Sequence, residues 1–288
     1  GTLLRVTICG AGDHAPAIAR RFFLQADGWD SLMTTWAEDG PLVRFNAKAG
    51  AGRQLLDPRL HAVLREAAGW AAKTRGAFDP TVLPLTALWR SAVRLDQWPS
   101  PEEIAVAKNN TGYGKFKVFP EDRALLAGAG MGIELGAIGK GWALDQMAKV
   151  VKLGPQISFL LDFGGSSYLA RGAPPGQRGW GVEIRDASGR AVAVLSLHDE
   201  AISVSGSSSA GREIAGRKVS HIINPHSGEP VAGGRLAIAR GPSASSAEVL
   251  STVLLIVGES FGRELLRNDA AEARIWVEDG ANWTAAGW

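Results

Sequence analysis

Residues 134–145 read Glu-Leu-Gly-Ala-Ile-Gly-Lys-Gly-Trp-Ala-Leu-Asp. This pattern predicts a short strand over Ile133–Leu135, a glycine-rich turn, and a helix over Gly139–Leu153. A turn of this kind directs backbone N–H groups towards a phosphate, and Lys140 would add a positive charge. The segment is not a Walker A loop, because that pattern needs a glycine where Glu134 stands. The alternative interpretation is a tight strand-to-helix connection with an exposed lysine.

The segments on either side predict an α+β protein. Predicted strands are Leu3–Ile8, Lys115–Phe119, Leu125–Leu126, Gln156–Asp162, Trp180–Arg185, Ala191–Leu197, Ala201–Val204, Leu236–Arg240 and Arg274–Val277. Predicted helices are Pro16–Gln25, a helix opened by Asp57-Pro58 and stopped by Gly76, Glu102–Lys108 and Ser246–Val257. Strands occur in runs as well as in alternation with helices, so we expect a mixed, largely antiparallel sheet with flanking helices. The length of 288 residues predicts one large domain over residues 1–288 or two small ones, and we favour the single domain.

The composition argues against several classes of protein. The net charge is only +2 and the Lys and Arg residues are scattered, so a nucleic-acid partner has no electrostatic support. No apolar run approaches the length of a transmembrane helix. Cys9 is the only cysteine, which excludes an intrachain disulfide, and we expect it to lie buried in a strand. The chain begins at Gly1 without Met and shows no signal peptide, as expected of a trimmed or mature product.

Three oxygen-bearing side chains mark the predicted helix near residue 250. Glu248, Ser251 and Thr252 are spaced i, i+3 and i+4 and therefore share one helix face. Such a set suits a hard cation such as Mg²⁺, which prefers oxygen ligands and substrate phosphates. The alternative is structural: Ser245 and Glu248 have the spacing of a capping box, and hydroxyls within a helix commonly bond its own backbone.

The stretch His221–Gly228 reads His-Ile-Ile-Asn-Pro-His-Ser-Gly and combines a strand end with a proline turn. His221 beside a hydroxyl-rich loop is a candidate general base, and the alternative is a histidine that bonds backbone in a turn. The Ser-rich segment Ser203–Ser209 lacks the Gly-x-Ser-x-Gly arrangement, so a serine hydrolase is poorly supported.

A second phosphate-binding pattern competes with the first. Gly10-Ala11-Gly12-Asp13-His14-Ala15 follows a predicted strand, precedes a helix and matches a dinucleotide fingerprint. The rest of the chain does not continue as regular βαβ units, which weakens that interpretation. Among the ten tryptophans, Trp36 and Trp89 are candidates to stack on a flavin or adenine ring.

Taken in order, seven segments resemble the ApbE family, the Mg-dependent FAD:protein FMN transferases. They are Gly1-Thr2, Thr34–Asn46, Gly76–Thr81, Glu134–Asp145, Asp162–Gly165, His221–Gly228 and Ala247–Thr252. The resemblance spans most of the chain and is more specific than any single motif. Glu248 stands where the family has Asp, Asn224 replaces another Asp, and His226-Ser227 replaces Arg-Thr.

The resemblance also implies a set of site residues. Contacts to FAD would come from Trp36, Ala77, Phe78, Asp79, Glu134, Lys140 and Ile222. Ligands to Mg²⁺ would be the carbonyl of Ala137 and the side chains of Glu248, Ser251 and Thr252. His221 would assist the chemistry.

The implied reaction moves FMN from FAD to a Thr or Ser of a target flavoprotein and releases AMP. Two alternatives use the same scaffold: a non-catalytic FAD-binding protein, and a pyrophosphatase that hydrolyses FAD to FMN and AMP. A remoter alternative is an NAD(P)-dependent oxidoreductase that uses Gly10 and Gly12. The resemblance implies a periplasmic or cell-envelope location, with the cytoplasm as the alternative.

Overall fold

The structure, a computed structural model, describes residues 2–150, 154, 156–186, 189–207, 212–258, 261, 264–265, 274–279 and 282–286. By its contacts the chain divides into two compact units. The first unit comprises Gly1–Asp30, Ala137–Gly206 and Leu236–Trp288, and the second comprises Ser31–Gly136 and Ser207–Arg235. A single domain over residues 1–288 stays a prediction, because this division does not decide whether either unit folds alone.

In chain order, the helices of the described residues are α1 (Ala15–Met33), α2 (Pro41–Ala47), α3 (Pro58–Lys73), α4 (Leu83–Leu95), α5 (Pro101–Asn109), α6 (Gly139–Val150) and α7 (Ala244–Val257). The strands are β1 (Leu4–Cys9), β2 (Gln54–Leu55), β3 (Phe116–Phe119), β4 (Arg123–Leu126), β5 (Ser158–Phe163), β6 (Ser167–Arg171), β7 (Trp180–Arg185), β8 (Ala191–Leu197), β9 (Ala201–Gly206), β10 (Glu213–Ile214), β11 (Arg217–Lys218), β12 (Arg235–Gly241), β13 (Arg274–Asp279) and β14 (Asn282–Ala286).

The first unit is built on a sheet in the order β1-β5-β6-β9-β12-β13-β14. Strands β1, β5, β6, β9 and β12 pair antiparallel in succession. Helix α7 packs against β9 and α6. The apolar side chains of α7, among them Val249, Leu250, Val253 and Leu254, are buried, so packing stabilises this helix. The hairpin β7–β8 adds Trp180 and Leu197 to a core shared with Tyr168 and Ile238.

The second unit holds α2 to α5, a small sheet in the order β2-β4-β3, and the hairpin β10–β11. Its helices begin at strong sequence signals. Asp57 accepts a hydrogen bond from the N–H of Arg59 at the start of α3, at 2.8 Å. Ser100 and Glu103 form a reciprocal capping box at the start of α5. A core cluster of Leu85, Trp89, Ala92, Ala107, Ile214, Val219 and Ile223 lies inside the unit.

This architecture confirms the predicted α+β class. The predicted strand over Ile133–Leu135 is wrong, because the side chain of Asn46 satisfies the backbone of Ile133 in place of a neighbouring strand. Its Oδ1 accepts from the N–H of Ile133 at 2.7 Å and its Nδ2 donates to the carbonyl at 2.9 Å. Trp89 does not present its ring to a flavin or adenine, because it is buried, packs edge-on against Trp98 and donates from Nε1 to the carbonyl of Gly228 at 2.8 Å.

The fold does not support the dinucleotide alternative. That fingerprint requires its first strand to lie inside a parallel sheet, whereas β1 is an edge strand paired antiparallel with β5. Gly10 has a packing reason instead: its φ is +78° and a Cβ there would lie 2.1 Å from the carbonyl oxygen of Gln156. Cys9 ends β1, as predicted, and is half-buried rather than fully buried. No helix among the described residues is both long and apolar enough to cross a bilayer.

Candidate active site

The N-terminal end of α6 meets the first half of α7 within the first unit. Lys140 Nζ forms an ion pair with Glu248 Oε1, and the N–H of Gly141 donates to Glu248 Oε2 at 2.7 Å. Glu248 is only 1% exposed, so both oxygens of its carboxylate depend on these partners. The glycine is required here, because a Cβ on Gly141 would lie 2.3 Å from the carbonyl oxygen of Ala244.

A cluster of hydroxyl groups continues this polar face. Ser205 Oγ on β9 lies 2.7 Å from Ser251 Oγ and 3.2 Å from Thr252 Oγ1. Ser251 Oγ also donates to Ser203 Oγ at 3.2 Å and to the carbonyl of Glu248 at 3.1 Å. Ser203 and Ser205 were not predicted as site residues. Their spacing was a usable signal, because residues two apart on a strand point to the same face.

The start of α7 excludes the capping-box interpretation of Glu248. The N-cap is Ser243, whose side chain accepts from the N–H of Ser246, and Ser245 lies inside the helix. Asp145 on α6 accepts hydrogen bonds from the first turn of α7. Its Oδ1 accepts from the N–H of Ala244 at 2.8 Å, and its Oδ2 accepts from the N–H of Ser245 at 2.9 Å.

The donor set on this face fits Mg²⁺. One carboxylate and two hydroxyls are hard oxygen ligands, and proteins commonly bind Mg²⁺ through one or two carboxylates plus substrate phosphates. A carboxylate offers about four lone-pair positions, so Glu248 can bind a cation while it accepts from Gly141. Ala137 lies in the turn just before α6, three residues from Lys140. Within the described residues, no group of three or more His, Cys, Asp or Glu side chains is placed to hold a metal ion.

In the second unit, Asp79 is the centre of a buried network. Its Oδ1 accepts from the N–H and the hydroxyl of Thr81 at 2.8 and 2.7 Å, and its Oδ2 accepts from the N–H of Tyr113 at 2.8 Å. Burial raises the pKa of Asp79 above its usual range, while these hydrogen bonds and the nearby His226 act in the opposite direction. The neighbouring side chains of Ala77 and Phe78 are also buried.

Glu134 and Trp36, both predicted to contact FAD, are linked through Arg90. The guanidinium of Arg90 donates to Glu134 Oε1, and its Cζ lies 4.4 Å from the centre of the Trp36 ring. Thr86 donates to the other oxygen of Glu134. The backbone N–H of Glu134 donates to the carbonyl of Pro80 at 2.8 Å, which places Glu134 next to the Asp79 network. Trp36 is 77% exposed, so most of its surface faces solvent in this structure.

The turn His221–Gly228 is fixed by its own hydrogen bonds. Asn224 Oδ1 accepts from the N–H of His226 at 2.9 Å, and the carbonyl of Asn224 accepts from the N–H of Gly228 at 2.8 Å. An amide oxygen serves this turn as well as a carboxylate oxygen would, because only one acceptor is needed. Ile222 is buried, and its carbonyl accepts from the N–H of Val231 at 2.9 Å. His221 is exposed at the start of the turn.

A cleft of about 580 Å³ opens at the β5–β6 turn of the first unit. Its lining includes three residues of the segment Asp162–Gly165, namely Asp162, Gly164 and Gly165. Both glycines have positive φ, and the N–H of Gly165 donates to Asp162 Oδ1 at 2.8 Å. The turn connects to the hydroxyl cluster, because the N–H of Val204 on β9 donates to the carbonyl of Ser166 at 2.7 Å.

The structure therefore brings the predicted residues together in groups. Lys140 with Glu248, and Ser251 with Thr252, meet in the first unit. Asp79, Glu134 and Trp36 are connected in the second unit through Pro80 and Arg90. Arg90 and Thr86 were not predicted as site residues, because nothing in the sequence relates them to Glu134, which is more than 40 residues away. The individual roles in FAD and Mg²⁺ binding stay predictions.

Comparison with known proteins places the chain in a family. The family model described as the ApbE family matches residues 1–275. The FAD:protein FMN transferase of Klebsiella pneumoniae (strain 342) is 28% identical over 291 residues, covering 97% of this chain and 83% of that protein. The protein of the same name from Salmonella typhimurium (strain LT2) is 28% identical over 295 residues, with 97% and 83% covered.

Solved structures agree in fold. The ApbE protein of Thermotoga maritima superposes with a TM-score of 0.85 at 24% identity, covering 99% of this chain and 94% of that chain. The flavin transferase ApbE of Vibrio cholerae gives a TM-score of 0.81 at 22% identity, covering 99% and 96%. Because the family model matches residues 1–275, almost the whole length of this chain, the chain belongs to the ApbE family.

Proposed function

We propose that the chain is a Mg-dependent FAD:protein FMN transferase, which moves FMN from FAD to a Thr or Ser of a target flavoprotein and releases AMP. The observation that carries the proposal is the contact between Lys140 and Glu248, beside the hydroxyls of Ser251 and Thr252. It combines a positive charge for phosphate with hard oxygen ligands for a cation. Family membership and the names of the curated relatives support the same reaction.

The reaction breaks the phosphoanhydride bond of the FAD pyrophosphate and forms a phosphoester bond to the acceptor. The acceptor hydroxyl oxygen bonds to the phosphorus of the FMN half while the bridging P–O bond breaks. AMP leaves with the electron pair of that bond, and the hydroxyl proton passes to a base. When bound by Glu248, Ser251 and Thr252, Mg²⁺ would neutralise charge that develops on the pyrophosphate oxygens. Lys140 would bind the same phosphates through its ammonium group.

His221 is the proposed base. Exposure at the start of the turn gives its imidazole access to an acceptor side chain, and the turn that follows is held by its own hydrogen bonds. His221→Ala should therefore slow transfer more than it weakens FAD binding. An equal loss of both would mean that His221 only shapes the binding site.

The family resemblance assigns further FAD contacts to residues within the second unit. Trp36 offers an exposed aromatic ring for the flavin, and Arg90 and Glu134 fix its surroundings. Asp79, Ala77, Phe78 and Ile222 are all buried and would shape the site from the protein interior. The target flavoprotein and a place in the cell envelope are further parts of the proposal, and they rest on the family resemblance.

The experiment that tests the proposal follows covalent flavin. The purified chain is incubated with FAD, Mg²⁺ and a flavoprotein subunit that one of the named FMN transferases modifies, and the products are resolved by mass spectrometry. AMP together with protein-bound FMN supports a transferase. AMP with only free FMN means that water is the acceptor and the chain is an FAD pyrophosphatase. FAD binding without AMP means a flavin-binding protein and overturns the proposal.

A further inference from the structure

Asp145 forms a buried contact that the proposed reaction does not yet use. It is 8% exposed and lies on α6, one and a half turns beyond Lys140. Its carboxylate accepts three hydrogen bonds from the start of α7: the N–H groups of Ala244 and Ser245 and the hydroxyl of Ser243, the last at 2.8 Å. Three donors at the N-terminus of a helix are a strong attachment for a negative charge.

The attachment is reciprocal. Asp145 of α6 binds the first turn of α7, and Glu248 of α7 binds the N–H of Gly141 in the first turn of α6. Each helix thus supplies a carboxylate to the N-terminal end of the other. Gly141 permits the close approach, since any Cβ there would overlap the backbone of Ala244.

This attachment determines where the oxygen ligands of α7 lie. Glu248 follows Ser245 by less than one helical turn, so a shift of the first turn of α7 moves Glu248 relative to Lys140. The same shift would move Ser251 and Thr252 relative to Ser205 on β9. Mg²⁺ requires nearly octahedral geometry with short bonds, so displacements of a fraction of an ångström would weaken its binding.

We propose that Asp145 is a positioning residue for the metal site: it holds the first turn of α7 against α6 and thereby sets the place of Glu248, Ser251 and Thr252. The inference rests on the proposed function, because it assumes that these three side chains bind the cation. Asp145 itself touches neither substrate nor metal in this account.

The test uses Asp145→Asn, which keeps the size of the side chain and is less disruptive than Asp145→Ala. An amide has one acceptor oxygen where the carboxylate has two, so either Ala244 or Ser245 loses its acceptor. Mn²⁺ serves as the probe ion, and its binding to the full chain in the presence of FAD is measured by electron paramagnetic resonance. We expect at least tenfold weaker Mn²⁺ binding in Asp145→Asn, with FAD binding in the absence of metal changed less than twofold.

The matched control is Asp57→Ala, which removes an aspartate that caps the start of α3 in the second unit. Both variants lose a carboxylate at a helix start and should lower the unfolding temperature, but only Asp145→Asn should weaken Mn²⁺ binding. In Mg²⁺ titrations of AMP release, Asp145→Asn should need more Mg²⁺ for half-maximal rate and recover most of the rate at saturation.

The outcomes separate the two claims. Unchanged Mn²⁺ binding in a folded Asp145→Asn variant, with AMP release intact in the natural chain, overturns the positioning role alone. A natural chain that binds no Mn²⁺ and releases no AMP overturns the proposed function, and the inference falls with it. Weakened Mn²⁺ binding in both Asp145→Asn and Asp57→Ala would also refute the positioning role, because any loss of stability would then suffice.

Discussion

The close approach of α6 and α7 predicts that Gly141→Ala destabilises the protein. A Cβ at residue 141 would lie 2.3 Å from the carbonyl oxygen of Ala244 and 2.6 Å from the backbone N of Ser245. Both neighbours are backbone atoms, so relief requires one helix to move. Overpacking of this kind costs about 1–3 kcal/mol. In a helix without such neighbours, Gly→Ala instead stabilises by roughly 0.5–1 kcal/mol.

Gly28→Ala is the matched control for this prediction. Gly28 lies in α1 of the same unit, and a Cβ there would meet nothing within 4 Å. Because the substitution is the same, the difference between the two variants isolates the steric cost, about 1–3 kcal/mol. Urea unfolding followed by circular dichroism measures both free energies of unfolding. If Gly141→Ala were as stable as Gly28→Ala, the helices would not approach as described, and the contact between Lys140 and Glu248 would lose its support.

Three further predictions concern single side chains. Glu248→Gln should keep the acceptor for Gly141 but lose the charge, so that Mg-dependent AMP release falls at least a hundredfold; unchanged release in an AMP assay would remove the metal role from Glu248. Arg90→Ala should weaken FAD binding roughly two- to fivefold in a fluorescence titration, since an exposed cation–π contact contributes about 0.5–1 kcal/mol, and a tighter complex would contradict the linked arrangement with Trp36. The raised pKa of Asp79 means that the folded state holds this proton more tightly than the unfolded chain does. Its contribution to the free energy of unfolding is therefore full below about pH 4 and is lost as the pH rises through the folded pKa. Urea unfolding between pH 4 and 8 should show this loss of stability in the natural chain and not in Asp79→Asn. Parallel pH profiles of the two proteins would contradict a raised pKa at Asp79.

Local signals explain why much of the fold could be predicted from the sequence. Asp57-Pro58 opens α3 through an N-cap and a proline in the first turn, both of which act within a few residues. The shared face of Glu248, Ser251 and Thr252 follows from helical periodicity alone. Gly258 ends α7 as predicted, with a φ of +77°.

The contacts that build the site join residues that are distant in sequence, so local signals could not predict them. Ile133 lies outside any strand because its backbone partner is the side chain of Asn46, 87 residues away. The partner of Lys140 is 108 residues away and is decided by the packing of α6 on α7. Arg90 joins Trp36 to Glu134 only because α4 and two loops meet inside the second unit.

The wrong capping-box interpretation of Glu248 has the same origin. Ser245 and Glu248 have the correct spacing, but the helix begins earlier, at Ala244 with Ser243 as its N-cap. Asp145 accepts from the N–H of Ser245, which is the backbone donor that Glu248 would bind in a capping box. At the proposed metal site, the carboxylates of Asp145 and Glu248 thus bind backbone N–H groups of the other helix in place of a local capping box.

AMP release from FAD by the purified natural chain, measured with Mg²⁺ and with excess EDTA, decides whether a metal at Glu248 takes part in the reaction. We expect AMP with Mg²⁺, in the presence of an acceptor flavoprotein, and none with EDTA. AMP release that EDTA leaves unchanged would contradict the metal site at Glu248, and no AMP under either condition would contradict the proposed transferase.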